Sequence, residues 1–578
     1  VAEGEPTAEG IVMRAAADGF RAIVVPQSVE AGAALFAITI DGITYRFKRD
    51  VATIYEQGKQ SKFTITINRK LPSGDYEFVL TDCDIVDWVA DLETHGGEAR
   101  QYYVVEQSEP GTLGSLIRAA KKNPAKIKNL KVSGKIDARD FYFMRDSMTI
   151  LQAINLKESK ICGVSTEEVL KYSGGIWYGD YYGDDEIPNY AFCDKNDNAL
   201  GLVHFVFPEK VTRICRHAFN STLLSDALII PNDVVEIDDY AFCGTNISSL
   251  SLPYGLKKIG DNAFAGCSSM TSELKLPETL EKIGDDCFEN CSALTGHLTI
   301  PGKIKEIPIR CFSSCSNLTG LTLPEGIQRI GYQAFRYDSH MTGTLHLPAY
   351  LTSIGDAAFY CCSFQGELVI PNGIKKIETG IFEQNNFSSV VFPNGLISIE
   401  ENAFSSCRRI TEPLVFPESL ITIKAGAFGH CTTVPSIVLP KNVATIGSFA
   451  FSGCYGLSKI TCEAEIPPAA LSRAFDGVAK DNFTVEVPEQ SVVRYQTATG
   501  WNDFRRIAAH HDFAISRPLL RTLNAAHKAT YLLRAPAGEA WSIESKPDWV
   551  TVEPASGVGK TEVTVAVDAM AAAEAGTF

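Results

Sequence analysis

"LPEGIQRIGYQAF", residues 323–335, places Ile327 three residues after Pro324, Ile330 six after and Phe335 eleven after. Neither a helical period nor strict alternation accounts for this spacing. Repetition does. The phrase returns as "FPEKVTRICRHAF" from Phe207, "IPNDVVEIDDYAF" from Ile230, "LPYGLKKIGDNAF" from Leu252, "LPETLEKIGDDCF" from Leu276 and "IPGKIKEIPIRCF" from Ile300. It continues as "LPAYLTSIGDAAF" from Leu347, "IPNGIKKIETGIF" from Ile370, "FPNGLISIEENAF" from Phe392, "FPESLITIKAGAF" from Phe416 and "LPKNVATIGSFAF" from Leu439. Each proline is followed by Val, Ile or Leu at +3, Ile at +6 and Phe at +11. From Pro208 to Pro440 the interval between prolines stays nearly constant. A short fixed period marks a solenoid, whose units bury their apolar faces by stacking on one another.

Each copy reads as one coil. A short strand precedes the proline, as in "GELVIP", with the residues at −1 and −3 facing inward and those at −2 and −4 facing out. Proline cannot donate to a ladder, so it ends the strand and turns the chain. The aliphatic residue at +3 and the Ile at +6 then point inward from a second extended segment. The Phe at +11 fills the wide end of the coil, and the repeated phenylalanines are expected to be buried in one stack.

Cys287, Cys291, Cys311 and Cys315 form a CxxxC…CxxxC pattern of the kind that can bind zinc. The period favours another reading. Cys267, Cys291, Cys315, Cys362, Cys407, Cys431 and Cys454 all stand three residues after the repeat Phe, and Cys287 and Cys311 one residue before it. A buried ladder of free thiols follows, since free Cys packs as a small hydrophobe. At about 5–6 Å between Cα atoms, stacked cysteines could also come within reach of disulfides.

The ends of the array differ from its middle. Residues 111–161 read as a helix, a strand around "NLKVSG", a second helix and a strand "LQAINL", followed by a degenerate coil at "IPNYAF" (187–192). "IPPAALSRAF" and "VPEQSVVRYQTATGWNDFRRI" depart from the period on the other side. Such ends close a solenoid's open core. The acidic, aromatic stretch "GIWYGDYYGDDE" (175–186) reads as a surface loop whose composition could also suit a sugar or calcium.

Composition bounds the function. The chain has 578 residues and a formal net charge of −16, which argues against nucleic acid. It contains no run of about 18 apolar residues that could span a membrane. It begins "VAEGEPTAEG" without Met or a leader pattern, as a piece of a longer or processed chain would. No GxSxG, HExxH or glycine-rich phosphate loop is present, so no enzyme, catalytic residue, cofactor or metal is expected. The adjacent acids Asp184-Asp185 and Asp285-Asp286 and the pair His510-His511 carry no spacing that implies catalysis.

The motif in "LPYGLKKIGDNAFAGCSSM" and the closing "SVVRYQTATGWNDFRRI" resemble the BspA-type leucine-rich repeats of bacterial surface proteins. "ALFAITIDGITYRFK", a hairpin about Asp41-Gly42, and "KFTITINRK" resemble the end of a fimbrillin-like adhesin domain, its front reduced here. "WSIESKPDWVTVEPASGVGKTEVTVAVDA" is similar to a BACON domain, an Ig-like sandwich often attached to glycan-processing proteins; its last strand is missing, so it reads as cut short. In that unit Trp541 and Trp549 are either core or sugar-stacking residues. The expected fold is mainly β with short helices, a leucine-rich repeat solenoid flanked by two small β-sandwich domains. The expected units are 1–108, 109–512 and 513–578. The resemblances imply an exported, non-catalytic surface protein that adheres to a host matrix protein, mucin or other macromolecule. The alternative is a carbohydrate- or mucin-binding accessory of a glycan-utilisation system. The candidate binding surface combines the −2 and −4 residues Glu273, Lys275, His297 and His346 with a +4/+5 row, Lys257, Lys258, Lys282, Lys305, Arg329, Lys375 and Lys376. That row reads as a basic strip on an acidic protein.

Overall fold

The computed structural model describes residues 102–172, 183–481 and 484–510 throughout, together with strands between 14 and 87 and segments between 514 and 567. Residues 173–182, within the stretch read above as a surface loop, and His511 and Trp549 lie outside the described residues.

The repeats form a solenoid with two parallel ladders. Pre-proline strands such as Gln365–Val369 and Asn386–Val391 pair in parallel with their neighbours. From Leu414–Val415 this ladder runs unbroken to Arg506–Ala509. The second ladder consists of two-residue strands at +5 and +6, such as Lys258–Ile259 and Lys282–Ile283, whose isoleucines face inward. At the bend between the ladders the proline carbonyl accepts a hydrogen bond from the +3 amide, as from Ile327 to Pro324 (3.1 Å). The second ladder breaks between Ile283 and Ile307 and again between Ile354 and Ile377. In most coils the +7 amide donates to the Ile carbonyl of the coil before, as Gly331 does to Ile307 (2.7 Å). The residue after Ile307 is Pro308, which has no N–H to give. Where +7 is glycine the coils approach closely: a Cβ on Gly284 would lie 2.4 Å from the Asp261 amide nitrogen.

The third side of the coil is a turn around the repeat Phe. Three amides per coil donate to the next coil, as Gln333 does to Asp356 (3.0 Å), Phe335 to Ala358 (2.9 Å) and Tyr337 to Tyr360 (2.9 Å). Gln333 and Tyr337 adopt φ of 55° and 67°, a left-handed conformation that costs an L-residue about 1–2 kcal/mol. The inter-coil hydrogen bonds and the buried Phe between them hold it in place. Thirteen phenylalanines, from Phe192 to Phe475, stack in this turn with successive centroids 5.0–5.9 Å apart. All are at most 2% exposed. The expected stack is present and longer than the motif alone indicates, because Phe475 of the aberrant "LSRAF" coil continues it.

Both ends are closed as anticipated. Helices Leu113–Ala119 and Ala138–Ser147 and the strands Asn129–Ile136 and Ala153–Asn155 form the first cap. Buried Asp140 fixes it by accepting from the amides of Gly111, Leu113 and Asp137 and from Gln107 Nε2. Phe141 meets Phe192 edge-on at 5.7 Å. At the other end Trp501 lies 5.4 Å from Phe475, and its indole donates to the Pro468 carbonyl (2.8 Å).

In the N-terminal region Ala34–Ile40 pairs antiparallel with Ile43–Lys48, with Ile40 opposite Ile43, in the register of the expected hairpin. In the C-terminal region Ala514–Ile515, His527–Arg534, Thr561–Val567 and Val550–Glu553 form a four-stranded antiparallel sheet. Trp541 is buried with Val563, packing on Ile543 and Val552, which makes it a core residue.

Candidate functional site

The candidate residues fall on two adjacent sides of each coil, separated by the proline turn. Lys257, Lys282, Lys305, Arg329, Lys375 and Lys376 are exposed on the +4/+5 side, and Lys258 is half-buried. Glu273, Lys275, His297 and His346 are exposed on the pre-proline side. The pre-proline row becomes half-buried at Val369, Val391, Val415 and Val438, as its apolar turn anticipates.

The strip is not uniformly basic. Glu236 occupies the same +5 register as Lys258 and pairs with it, and it lies 3.8 Å from Arg213. Glu306 lies 3.6 Å from Arg329, and Lys376 is 2.7 Å from Glu378, which holds the lysine above its ordinary pKa. Lys303 pairs with Glu281 at 3.0 Å. Glu236 and Glu306 share the +5 register of Lys258 and Arg329, so these opposite charges on successive coils stand side by side. Among the described residues, Lys257, Lys282, Lys305 and Lys375 form no ion pair. On the pre-proline side Glu273 is 4.0 Å from Lys275, and His297 Nε2 is 2.7 Å from Thr322 Oγ1.

The acids set aside in the sequence are structural. Asp285 Oδ1 accepts from the Ile309 amide (2.9 Å), and Asp286 takes a bidentate contact from Arg310 (2.5 and 3.0 Å). Asp184 accepts from the Gly163 amide and Asp185 pairs with Lys210. His510 is half-buried, 3.6 Å from Glu486; burial lowers its pKa against the pull of that carboxylate.

The cysteines form the expected ladder of free thiols. Each Cys three residues after its Phe donates to the Phe carbonyl of the coil before, as Cys291 does to Phe264, Cys315 to Phe288, Cys362 to Phe335 and Cys431 to Phe404, all at 3.1 Å. Cys287 and Cys311 stand in a separate row before the Phe. Burial pushes the thiols of Cys287, Cys311, Cys315, Cys362 and Cys431 well up, and those of Cys407 and Cys454 to about 12. Thiolate is the reactive form. Site-resolved alkylation of the native protein should therefore label half-buried Cys162, Cys243 and Cys361 first among the described thiols. Labelling of Cys315 at the rate of Cys361 would show that the ladder is open.

Two positions interrupt the thiol row, Asn385, whose side-chain amide donates in place of the thiol, and Asp338. Asp338, fully buried between Cys315 and Cys362 in the same row, has two carboxyl oxygens without a hydrogen-bond partner.

The family described as BspA type Leucine rich repeat region matches in six copies, over residues 185–319, 295–411 and 410–472. The solenoid is a BspA-type leucine-rich repeat region. The fimbrillin-like family matches residues 2–88. Both are families of surface or exported proteins. A leucine-rich repeat protein from Bacteroides ovatus is 25% identical, over 58% of this chain and 90% of that one, with a TM-score of 0.41. A leucine rich cell surface protein from Faecalibacterium prausnitzii is 24% identical, over 52% and 83%, with a TM-score of 0.33. The pneumococcal vaccine antigen PcpA is 18% identical, over 58% and 87%, with a TM-score of 0.34. No curated protein matches the chain. BspA-type repeats are associated in general with protein binding and adhesion. No described helix is long and apolar enough to cross a membrane.

Proposed function

We propose that this is an exported, non-catalytic surface adhesin, organised as 1–108, 109–512 and 513–578, whose repeat region binds an acidic macromolecule such as a mucin or an extracellular-matrix protein. The observation that carries the reading is the set of exposed lysines without an ion pair among the described residues, Lys257, Lys282, Lys305 and Lys375, on a chain of net charge −16. Lys258, Arg329 and Lys376 have carboxylate partners of their own and contribute less net field to a ligand. The polar pre-proline row of Glu273, Lys275, His297 and His346 borders this side across the proline turn. Many weak contacts along successive coils suit an extended partner.

The test reverses these four lysines to Glu in the whole chain and measures binding to immobilised mucin and to matrix proteins at rising salt. Wild-type binding should weaken steeply, since exposed charges are screened within about 8 Å at physiological ionic strength. The variant should lose most of this salt-sensitive binding at an unchanged melting temperature. Equal binding by the two proteins would remove this side of the solenoid from consideration. The carbohydrate-accessory alternative is less well supported, because buried Trp541 presents no face on which a sugar could stack.

A further inference from the structure

Between the phenylalanine turn and the pre-proline strand, several coils carry pairs of small or amide-bearing residues, among them Ser268-Ser269, Ser316-Asn317 and Thr432-Thr433. One coil carries Arg408-Arg409 there instead. This coil runs from Pro393 to Pro417, two positions longer than the coil before it, which runs from Pro371 to Pro393. Beside these arginines is an open trough of about 360 Å³, lined by Gln365, Asn386, Ser388, Arg408, Arg409 and Thr411 with two further residues.

The arginines are exposed, and neither forms an ion pair among the described residues. Their turn is fixed from beneath, because Thr433 Oγ1 donates to the carbonyls of Arg408 (2.9 Å) and Ile410 (2.8 Å). Exposed Glu412 follows in sequence but does not line the trough. Two guanidinium groups thus stand over a floor of amides and hydroxyls. A guanidinium matches a carboxylate through two parallel N–H···O bonds. Side-chain amides and hydroxyls both donate and accept, as the hydroxyls of a sugar require. No aromatic ring lines the trough, so a neutral sugar has nothing to stack on and a negative group must supply the attraction. We infer that the trough binds a carboxylated sugar residue of an acidic glycan. It lies apart from the lysine row and does not depend on it.

The test titrates the full chain with sialyllactose and a hyaluronan tetrasaccharide, with lactose as the neutral control and polyglutamate as an acidic peptide. One or both acidic sugars should bind, and lactose should bind at least about tenfold more weakly. The R408A/R409A double variant should lose that binding with an unchanged circular dichroism spectrum, while the four-lysine reversal should keep it. Acidic sugars that bind no better than lactose would overturn the assignment. So would retention of binding in the arginine variant, or its loss in the lysine variant. Tighter binding of polyglutamate than of either sugar, through the same arginines, would make the occupant a peptide and equally overturn the sugar assignment.

Discussion

Phe335→Ala should destabilise the repeat region by about 3–5 kcal/mol, the range for removing a buried aromatic ring from a core. Phe335 is fully buried, with ring centroids 5.7 Å from Phe312 and 5.4 Å from Phe359. Its backbone amide is also part of the inter-coil ladder, so collapse into the vacated space would strain the hydrogen bond to Ala358. A solenoid coil contacts only its neighbours, so the damage should begin locally. Limited proteolysis should gain a cleavage site near residues 330–340, and urea unfolding should start at lower denaturant. A variant with the wild-type unfolding midpoint and no new cleavage would place the ring outside the core.

Asp338→Cys and Asp338→Asn should stabilise the protein at neutral pH by about 1–3 kcal/mol, the cost of an unsatisfied buried polar group. The slot three residues after each repeat Phe calls for a hydrogen-bond donor to a Phe carbonyl. Cysteine supplies Sγ–H in seven coils. Asn385 supplies Nδ2–H to the carbonyls of Phe359 (2.8 Å) and Phe382 (3.1 Å). Thr245 donates to the carbonyl of Phe242 (2.9 Å). A carboxylate cannot donate, whereas a protonated carboxyl can. Burial accordingly raises the Asp338 pKa well above the ordinary value, despite the nearby Cys315 amide.

The sign of the pH dependence follows. When the folded pKa exceeds the unfolded value of about 3.9, the contribution to stability is complete below that value and is lost as pH rises through the folded pKa. The advantage of Asp338→Asn should thus be small near pH 4 and grow towards pH 8, as read from melting temperatures of both proteins across that range. A difference that stays constant with pH would mean that Asp338 titrates alike in the folded and unfolded states, so that burial does not shift it.

The period, the inward positions and the stack were legible because a repeat writes the same constraint many times. A core position filled by Ile at +6 and Phe at +11 in eleven successive coils admits no other placement. The thiol row was legible for the same reason, since Cys recurs at one offset from the Phe. The left-handed residues were signalled only in part, as by Asn262, Gly380, Asn402 and Gly426. Gln333, Ala357 and Arg310 occupy positive φ two residues before the Phe, yet none has the side chain that usually signals it. Their conformation is imposed by amides that must reach the next coil and is stabilised only when that coil is in place.

The binding surface divides the same way. That Lys257, Lys258, Lys375 and Lys376 would face outward follows from their offsets alone. Which of them carry unbalanced charge does not, because Glu236 reaches Lys258 from the preceding coil and Glu378 reaches Lys376 from beyond the inward-facing Ile377. Nor could the trough at Arg408 and Arg409 be read from composition. Its lining comes from several successive coils, which meet only when they stack. Sequence periodicity reports what each coil does on its own: which residues turn inward and where the chain bends. Charge balance, hydrogen-bond satisfaction and surface relief depend on atoms of neighbouring coils, a full repeat apart in the chain, and they exist only once the coils have stacked.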